Sequence, residues 1–450
     1  MHPNVNCTAQ ACEKWALAGY RDQQNNMTSA KRACNSGLAS LGLVLCAALL
    51  APGAVVAQTI SGGAQAGVGV LPPDLGGAQQ TSGAAGVRLD PFVLYPSVSL
   101  VEGYNDNLTL SNNNQVKSAV TILSPALLAE LKGDSSTYRL SYIGTWGTYA
   151  SSSADNYLYN ELHGSAEFEF SGRSRLRLLG DYLLKSDPRG STLASTGLTT
   201  PNKYHLADVG GIYSYGAAGA QGRIELQGLV TNKEYTNNRF ITTTLDFNSY
   251  QGGGTFFWRV GPKTEWLFQA QETRTDYISG LSVQDNTERR ALTGLKWEAT
   301  ALTTGTFKVG ESWKKYDNSS QANPKGFIWE GSVIWSPLTY SIVTLTTGKN
   351  YLDSQAGLGS SYVTDSYYYA VWNHAWTERV RTVATGSYVT DKYQGFARED
   401  KTSLLGAKVT YDMRRWLTLG AEYTYSQRNS SAIGADYRRN LILFSLKATL

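Results

Sequence analysis

From residue 161 to 185 the chain carries charged side chains at intervals of two. Arg173, Arg175, Arg177, Asp181 and Lys185 sit at odd positions, and Leu176, Leu178, Tyr182 and Leu184 at even ones. Upstream, Glu161, His163, Glu167 and Glu169 keep the same interval. Successive side chains of an extended chain point to opposite faces. The spacing therefore predicts an arginine row beside a glutamate row on one face, with an apolar row behind. Facing rows of guanidinium and carboxylate groups can pair, which stiffens a wall. They can also line an aqueous passage, where their transverse field orders water and favours polar, largely uncharged solutes. Other charges on the same predicted face are Glu225, Lys233, Glu288, Arg290, Lys296, Glu298, Lys308, Lys314, Glu330, Glu422 and Arg428. Their signs are mixed, so they mark neither strong anion nor strong cation selectivity. Tyr157 and Tyr159 fall on that face too and offer rings for stacking on sugars.

Little else suits chemistry. Beyond residue 57 the histidines are His163, His205 and His374. A hydrolase would need one of them beside a serine or a carboxylate. His205 lies nearest such a group, beside a polar stretch holding Ser191 and Ser195, but no motif ties them together. Glu161, Glu167 and Glu169 lack the spacing of a calcium loop. The four cysteines, Cys7, Cys12, Cys34 and Cys46, all precede residue 58. The reading is of no catalytic, cofactor or metal site, and of no disulfide framework.

These rows need strands to hold them, and the clearest strands lie at residues 404–428. Leu417, Leu419, Ala421, Tyr423 and Tyr425 alternate with Thr418, Gly420, Glu422, Thr424 and Ser426. Leu405, Ala407, Val409 and Tyr411 alternate likewise with Leu404, Gly406, Lys408 and Thr410. Residues 412–415 separate the halves, so an antiparallel hairpin is expected. From residue 92 to 450 such segments of about ten residues recur. Tight connections are expected near 133–134, 171–172, 216–222, 261–262, 300–303, 337–339, 378–379 and 414–415. Longer polar ones alternate with them at 105–115, 186–203, 237–243, 279–285, 317–324, 353–360, 394–399 and 429–435. Short turns at one end and long loops at the other predict an all-β, transmembrane, antiparallel up-and-down barrel of about 18 strands, with 16–18 plausible. An even count puts both ends of the barrel on the short-turn side.

Two aromatic sets repeat at roughly forty residues, one hairpin each. Trp258, Trp266, Trp297, Trp335, Trp376 and Trp416 gather at the short turns. Tyr235, Tyr277, Tyr316, Tyr351 and Tyr393, each near a basic residue, gather at the far ends. The expectation is an inner and an outer lipid-facing girdle.

The first 91 residues read differently. Residues 1–26 look like an extension ahead of the true start at Met27. Lys31 and Arg32, an apolar run over 38–51 and Val55-Val56-Ala57 make residues 27–57 a secretory signal peptide. Residues 58–91, rich in Gly and Ala, read as a flexible periplasmic segment. The chain has a formal charge of +4. Removing residues 1–57 takes away four basic and two acidic residues, leaving about +2, so no nucleic-acid partner is expected.

The first predicted strand ends Leu100-Val101-Glu102-Gly103-Tyr104-Asn105-Asp106-Asn107. A strand closing on glycine, an aromatic and an Asp/Asn cluster resembles the start of the putative β-barrel porin type 2 family, over residues 92–450. The resemblance implies a channel of the bacterial outer membrane. It also implies association with capsule and exopolysaccharide synthesis, hence a conduit for polysaccharide export; the alternative is a general or sugar-uptake diffusion porin. Expected partners are outer-membrane lipid, the barrel-assembly machinery, a periplasmic polysaccharide-export machine, and polysaccharide or small polar solutes. Leu450 departs from the terminal phenylalanine usual in such barrels, while Ile442, Phe444, Leu446 and Ala448 keep the alternation.

Overall fold

The computed structural model describes residues 86–191, 198–217, 219–300, 302–354 and 360–450. Residues 1–85, including the expected signal peptide, lie outside them. Paired backbone begins inside the stretch read as irregular. Strand β1 (Val87–Leu89) lies antiparallel to the start of β2 (Phe92–Asn105), from Val87↔Leu94 to Leu89↔Phe92.

From β2 the chain runs as an uninterrupted meander. The strands are β3 (Ser118–Lys132), β4 (Ser136–Tyr149), β5 (Tyr157–Ser171), β6 (Ser174–Asp187), β7 (Asn202–Tyr215) and β8 (Gly222–Tyr235). Then come β9 (Phe247–Gly261), β10 (Thr264–Tyr277), β11 (Asn286–Thr300), β12 (Thr303–Tyr316), β13 (Lys325–Leu338) and β14 (Ser341–Asp353). The last are β15 (Tyr362–Ala375), β16 (Val380–Gln394), β17 (Arg398–Arg414), β18 (Leu417–Ser430) and β19 (Tyr437–Thr449). Each pairs antiparallel with the next, and β19 returns to β2 from Leu441↔Asn105 to Thr449↔Ser97. The result is a closed barrel of 18 strands. Closure gives each strand two neighbours, so the sheet has no open edge to satisfy within a bilayer.

Side-chain alternation explains why the sheet closes this way round. Leu100, Leu140, Leu162, Leu178, Leu226, Leu405 and Phe444 are among the exposed apolar side chains, all on one face. On the reverse face lie the charged rows. In a bilayer the apolar face meets lipid. Turning a strand over would put its charges there, at roughly 2–4 kcal/mol for each arginine or lysine near the midplane. The hairpin over 404–428 forms as β17 and β18, with Val409↔Ala421 and Lys408↔Glu422 in register.

The connections alternate in length around most of the barrel. Those at one end are 133–135, 172–173, 216–221, 262–263, 301–302, 339–340, 376–379 and 415–416. Those at the other include 106–117, 188–201, 236–246, 278–285, 317–324 and 354–361. The connection expected at 394–399 is an exception. Pairing continues to Tyr393↔Arg398, so only residues 395–397 turn the chain, with Gly395 at φ 86°. Glu399, Asp400 and Lys401, polar enough to pass for a loop, are strand residues of β17.

Candidate functional site: the barrel interior

The interior face is where the sequence-predicted charges fall. Arg175, Arg177, Asp181 and Lys185 on β6, and Glu161, Glu167 and Glu169 on β5, stand on the face opposite the exposed Leu162, Leu178 and Tyr182. By the same alternation Glu225, Arg290, Lys308, Glu330 and Glu422 face inward on β8, β11, β12, β13 and β18. Arg173 does not belong with them. The pair Ser171↔Ser174 closes the hairpin around residues 172–173, so Arg173 is an exposed turn residue and the predicted row is shorter by one.

Register turns these rows into pairs. Glu167 lies opposite Arg177, Glu169 opposite Arg175 and His163 opposite Asp181. His163 Nδ1 is 2.7 Å from Asp181 Oδ1, and its Nε2 is 3.5 Å from Glu161. Glu161 also receives Lys185 at 3.0 Å. Glu167 takes Arg177 at 3.6 Å and Arg139 at 3.7 Å, while Glu130 takes Arg139 at 2.9 Å and Lys132 at 2.7 Å. The β3–β6 sector thus carries runs of paired opposite charges.

A second lattice spans β8 to β14. Arg223 joins Glu225 and Glu265, and its guanidinium lies 3.9 Å over the Phe257 ring. Arg290 at 2.8 Å and Lys308 at 2.5 Å converge on Glu330. Gly294 and Gly310 allow that convergence. A Cβ on either would run into a backbone carbonyl of the neighbouring strand, Phe307 or Ala291, so β11 and β12 approach closely only with glycine there.

The hub of this lattice is a residue the sequence did not single out. Asp353, the last residue of β14, accepts hydrogen bonds from Lys314 Nζ (2.6 Å), Tyr316 OH (2.8 Å), Tyr277 OH (3.1 Å) and Asn286 Nδ2 (3.1 Å). Neighbouring strands lie about 4.8 Å apart. Along the wall β14 is therefore about 10 Å from β12 and about 19 Å from β10. One carboxylate touches groups on β10, β11 and β12 because the outer end of β14 leans into the barrel. The ladder records this lean: β13–β14 pairing stops at Glu330↔Gly348, while β14 stays paired with β15 up to Asp353↔Tyr362. Pairing broken on one side only leaves no pattern in composition or periodicity.

The tyrosine repeat also resolves differently from expectation. Tyr235, Tyr316, Tyr351 and Tyr393 are buried, with Tyr316 2% exposed. They belong to an interior rim, not to a lipid-facing girdle. Parity is the reason. Tyr235 shares a face with inward Lys233, and Tyr316 with inward Lys314, each two residues away. Lys233 Nζ sits 4.0 Å over Tyr204 and 4.7 Å over Tyr235. Tyr235 donates to Asp187 at 2.8 Å. Tyr157 and Tyr159 stack on each other with centroids 4.3 Å apart. The outward aromatic rim comes instead from Tyr104, Tyr250, Tyr368 and Tyr388, which are exposed. At the short-turn end Trp258, Trp266, Trp335, Trp376 and Trp416 are exposed as a girdle requires.

The remaining histidines stand on the outer face. His205 lies edge-on to Tyr182 (6.1 Å), and His374 packs among Tyr340, Trp372 and Trp376. Ser195 lies outside the described residues. Among the described residues no cluster of His, Cys, Asp or Glu has the arrangement of a metal site.

The interior is therefore a wall of paired charges with apolar clusters set into it, such as Val101, Val120, Ile122, Leu441 and Leu443, inside a lipid-facing shell. Among solved structures, OccAB3 of Acinetobacter baumannii matches with 10% identity, covering 80% of this chain and 100% of that one at a TM-score of 0.45. OpdK of Pseudomonas aeruginosa matches with 10% identity over 79% and 99%, at 0.46. OccAB2 of A. baumannii matches with 10% identity over 80% and 98%, at 0.44. No curated protein matches the chain. The model of the family described as Putative beta-barrel porin 2 matches residues 80–450, and the chain belongs to that family, as a porin-type channel of the bacterial outer membrane.

Proposed function

We propose that the barrel is a passive channel for small hydrophilic solutes. The observation that carries this reading is the pairing of the interior charges in the β3–β6 and β8–β14 lattices. A wall whose cations and anions neutralise each other locally presents strong short-range dipoles and little long-range field. Such a lining replaces water around polar groups without trapping ions. Many interior residues towards the long-loop end, Val120, Tyr204, Leu292 and Val363 among them, are buried, which supports a narrow path over a wide one. The long loops face the cell exterior in this reading, and epitope tags at 317–324 become accessible on intact cells while tags at 262–263 do not. Proteoliposome swelling tests the function. Monosaccharides enter and long oligosaccharides do not; liposomes that stay impermeable to both would overturn it.

A second reading, a conduit for exported polysaccharide working with a periplasmic export machine, is favoured by the interior tyrosine rim. Rings at a pore mouth suit passage of sugar faces, although Tyr157 and Tyr159 here stack on each other. Loss of secreted polysaccharide in a Tyr157→Ala/Tyr159→Ala strain with normal barrel levels and normal monosaccharide uptake would favour it. Processing belongs to the same proposal. The mature chain begins near Gln58, to be read by N-terminal sequencing of outer-membrane material, and the assembled barrel is a product of the barrel-assembly machinery.

A further inference from the structure

On the interior face of β18 and β19 two buried arginines stand outside the paired charges. Arg428 and Arg439 are 4% and 3% exposed, and neither forms an ion pair with a carboxylate among the described residues. Arg428 Nη1 and Arg439 Nε and Nη2 have no hydrogen-bond partner there. The hydroxyls of Thr402, Ser426 and Tyr437, all buried, are likewise unpartnered. Register gathers the five. Arg428 lies opposite Tyr437 on one side and Thr402 on the other, and Ser426 lies opposite Arg439.

The nearest acids do not complete them. Asp391, opposite Asp400 on β16, acts on Arg428 through its charge but makes no hydrogen bond to it. Asp400 holds Arg398 at 2.5 Å and accepts from Ser430 Oγ. Asp106 accepts from the backbone and side-chain nitrogens of Asn440, both at 2.7 Å. Arg428 is fixed in place by Nε donating to Ala435 O at 2.7 Å, and its guanidinium lies 4.9 Å from the Tyr437 centroid. A buried guanidinium with free N–H groups costs more than any neutral polar group in the same place, unless an anion completes it. Planar N–H forks match carboxylate geometry. Three hydroxyls beside them match a ligand that carries hydroxyls of its own.

We propose that Arg428, Arg439, Thr402, Ser426 and Tyr437 form a binding site for a hydroxylated carboxylate, of the sugar-acid class, on the channel wall. The guanidinium groups take the carboxylate and the hydroxyls take the neighbouring hydroxyl groups of the solute. The inference rests on the channel reading, and its failure is separable from it.

Purified barrels in planar bilayers provide the test, with sodium glucuronate as probe and glucose, acetate and sulfate as comparisons. Glucuronate blocks the open-channel current at a concentration at least tenfold below that needed for glucose or acetate. Arg439→Gln raises that concentration at least tenfold, and Arg439→Lys restores part of the loss. Ser426→Ala weakens glucuronate block and leaves acetate block alone. Heat-modifiable gel migration confirms that each variant has assembled. Glucuronate block that is equal in wild type and Arg439→Gln would overturn the site. Sulfate blocking as well as glucuronate would overturn the assigned class. A barrel that passes no current defeats the channel reading itself, and the site is then judged by equilibrium binding of glucuronate to wild type and Arg439→Gln, where equal binding overturns it.

Discussion

On the β11–β14 side of the barrel, Arg290, Lys308 and Lys314 each end on a carboxylate. On the β17–β19 side, Arg428 and Arg439 end on none. Both sectors bury their cations, both use inward positions of the same alternation, and both lie in one closed sheet. Burial and secondary structure therefore do not separate them; the partner does. A buried cation with a fitted anion belongs to the architecture, and its loss exposes the anion's desolvation cost. A buried cation with none is destabilising on its own account and becomes favourable only when something from outside completes it.

The largest expected effect follows from breaking the paired sector. Glu330→Ala leaves Lys308 without its carboxylate and Arg290 with Glu288 alone, at 3.8 Å, and lowers the unfolding free energy by about 3–5 kcal/mol, measured by urea titration of barrels refolded in lipid. The opposite sign is expected in the other sector. Arg439→Leu removes unsatisfied donors and raises stability by about 1–3 kcal/mol in the same assay. A loss there comparable to that of Glu330→Ala would erase the comparison.

How much of this was legible before the fold was known follows the same line. Alternation placed Glu161, Arg177, Arg290, Glu330 and Arg428 on one face, because a period of two is a local property of the backbone. It gave the closed barrel for the same reason, since turn chemistry and strand period both sit within a few residues. Arg173 leaves the wall because the hairpin turn falls one residue later than its spacing predicts, and a shift of that size takes a side chain out of the strand. The tyrosine repeat was misread because proximity to a basic residue was weighed above parity. Arg439 carried the needed signal, alternating with Leu441 and Leu443 on the buried face. That it has no partner, and that Asp353 has four lying 37 to 76 residues away in sequence, depends on how separate strands come together in space. No local pattern records either.

Smaller substitutions sharpen the contrast. Tyr316→Phe removes one of the four donors to Asp353 and leaves the ion pair with Lys314, so a loss of about 0.5–1.5 kcal/mol is expected from the same unfolding titration. The Arg274–Asp317 pair, at 2.7 Å and open to solvent, separates pairing from burial. Arg274 holds the Asp317 carboxyl, in the loop after β12, below its usual range. Its contribution is present above the unfolded value of about 3.9 and is lost as pH falls through the lower folded one. Because the pair is exposed, Asp317→Asn costs only about 0.2–1 kcal/mol at neutral pH. The difference between wild type and variant should vanish in acid.

The most direct measurement is the unfolding free energy of wild type, Arg177→Gln and Arg439→Gln barrels across a glucuronate titration. A ligand that binds only the folded state stabilises it by RT ln(1 + [L]/Kd), about 1.4 kcal/mol at ten times Kd. The unpaired sector predicts that rise for wild type and for Arg177→Gln, whose substitution lies in the paired wall, and a flat line for Arg439→Gln. Three parallel rises, or three flat lines, would contradict it.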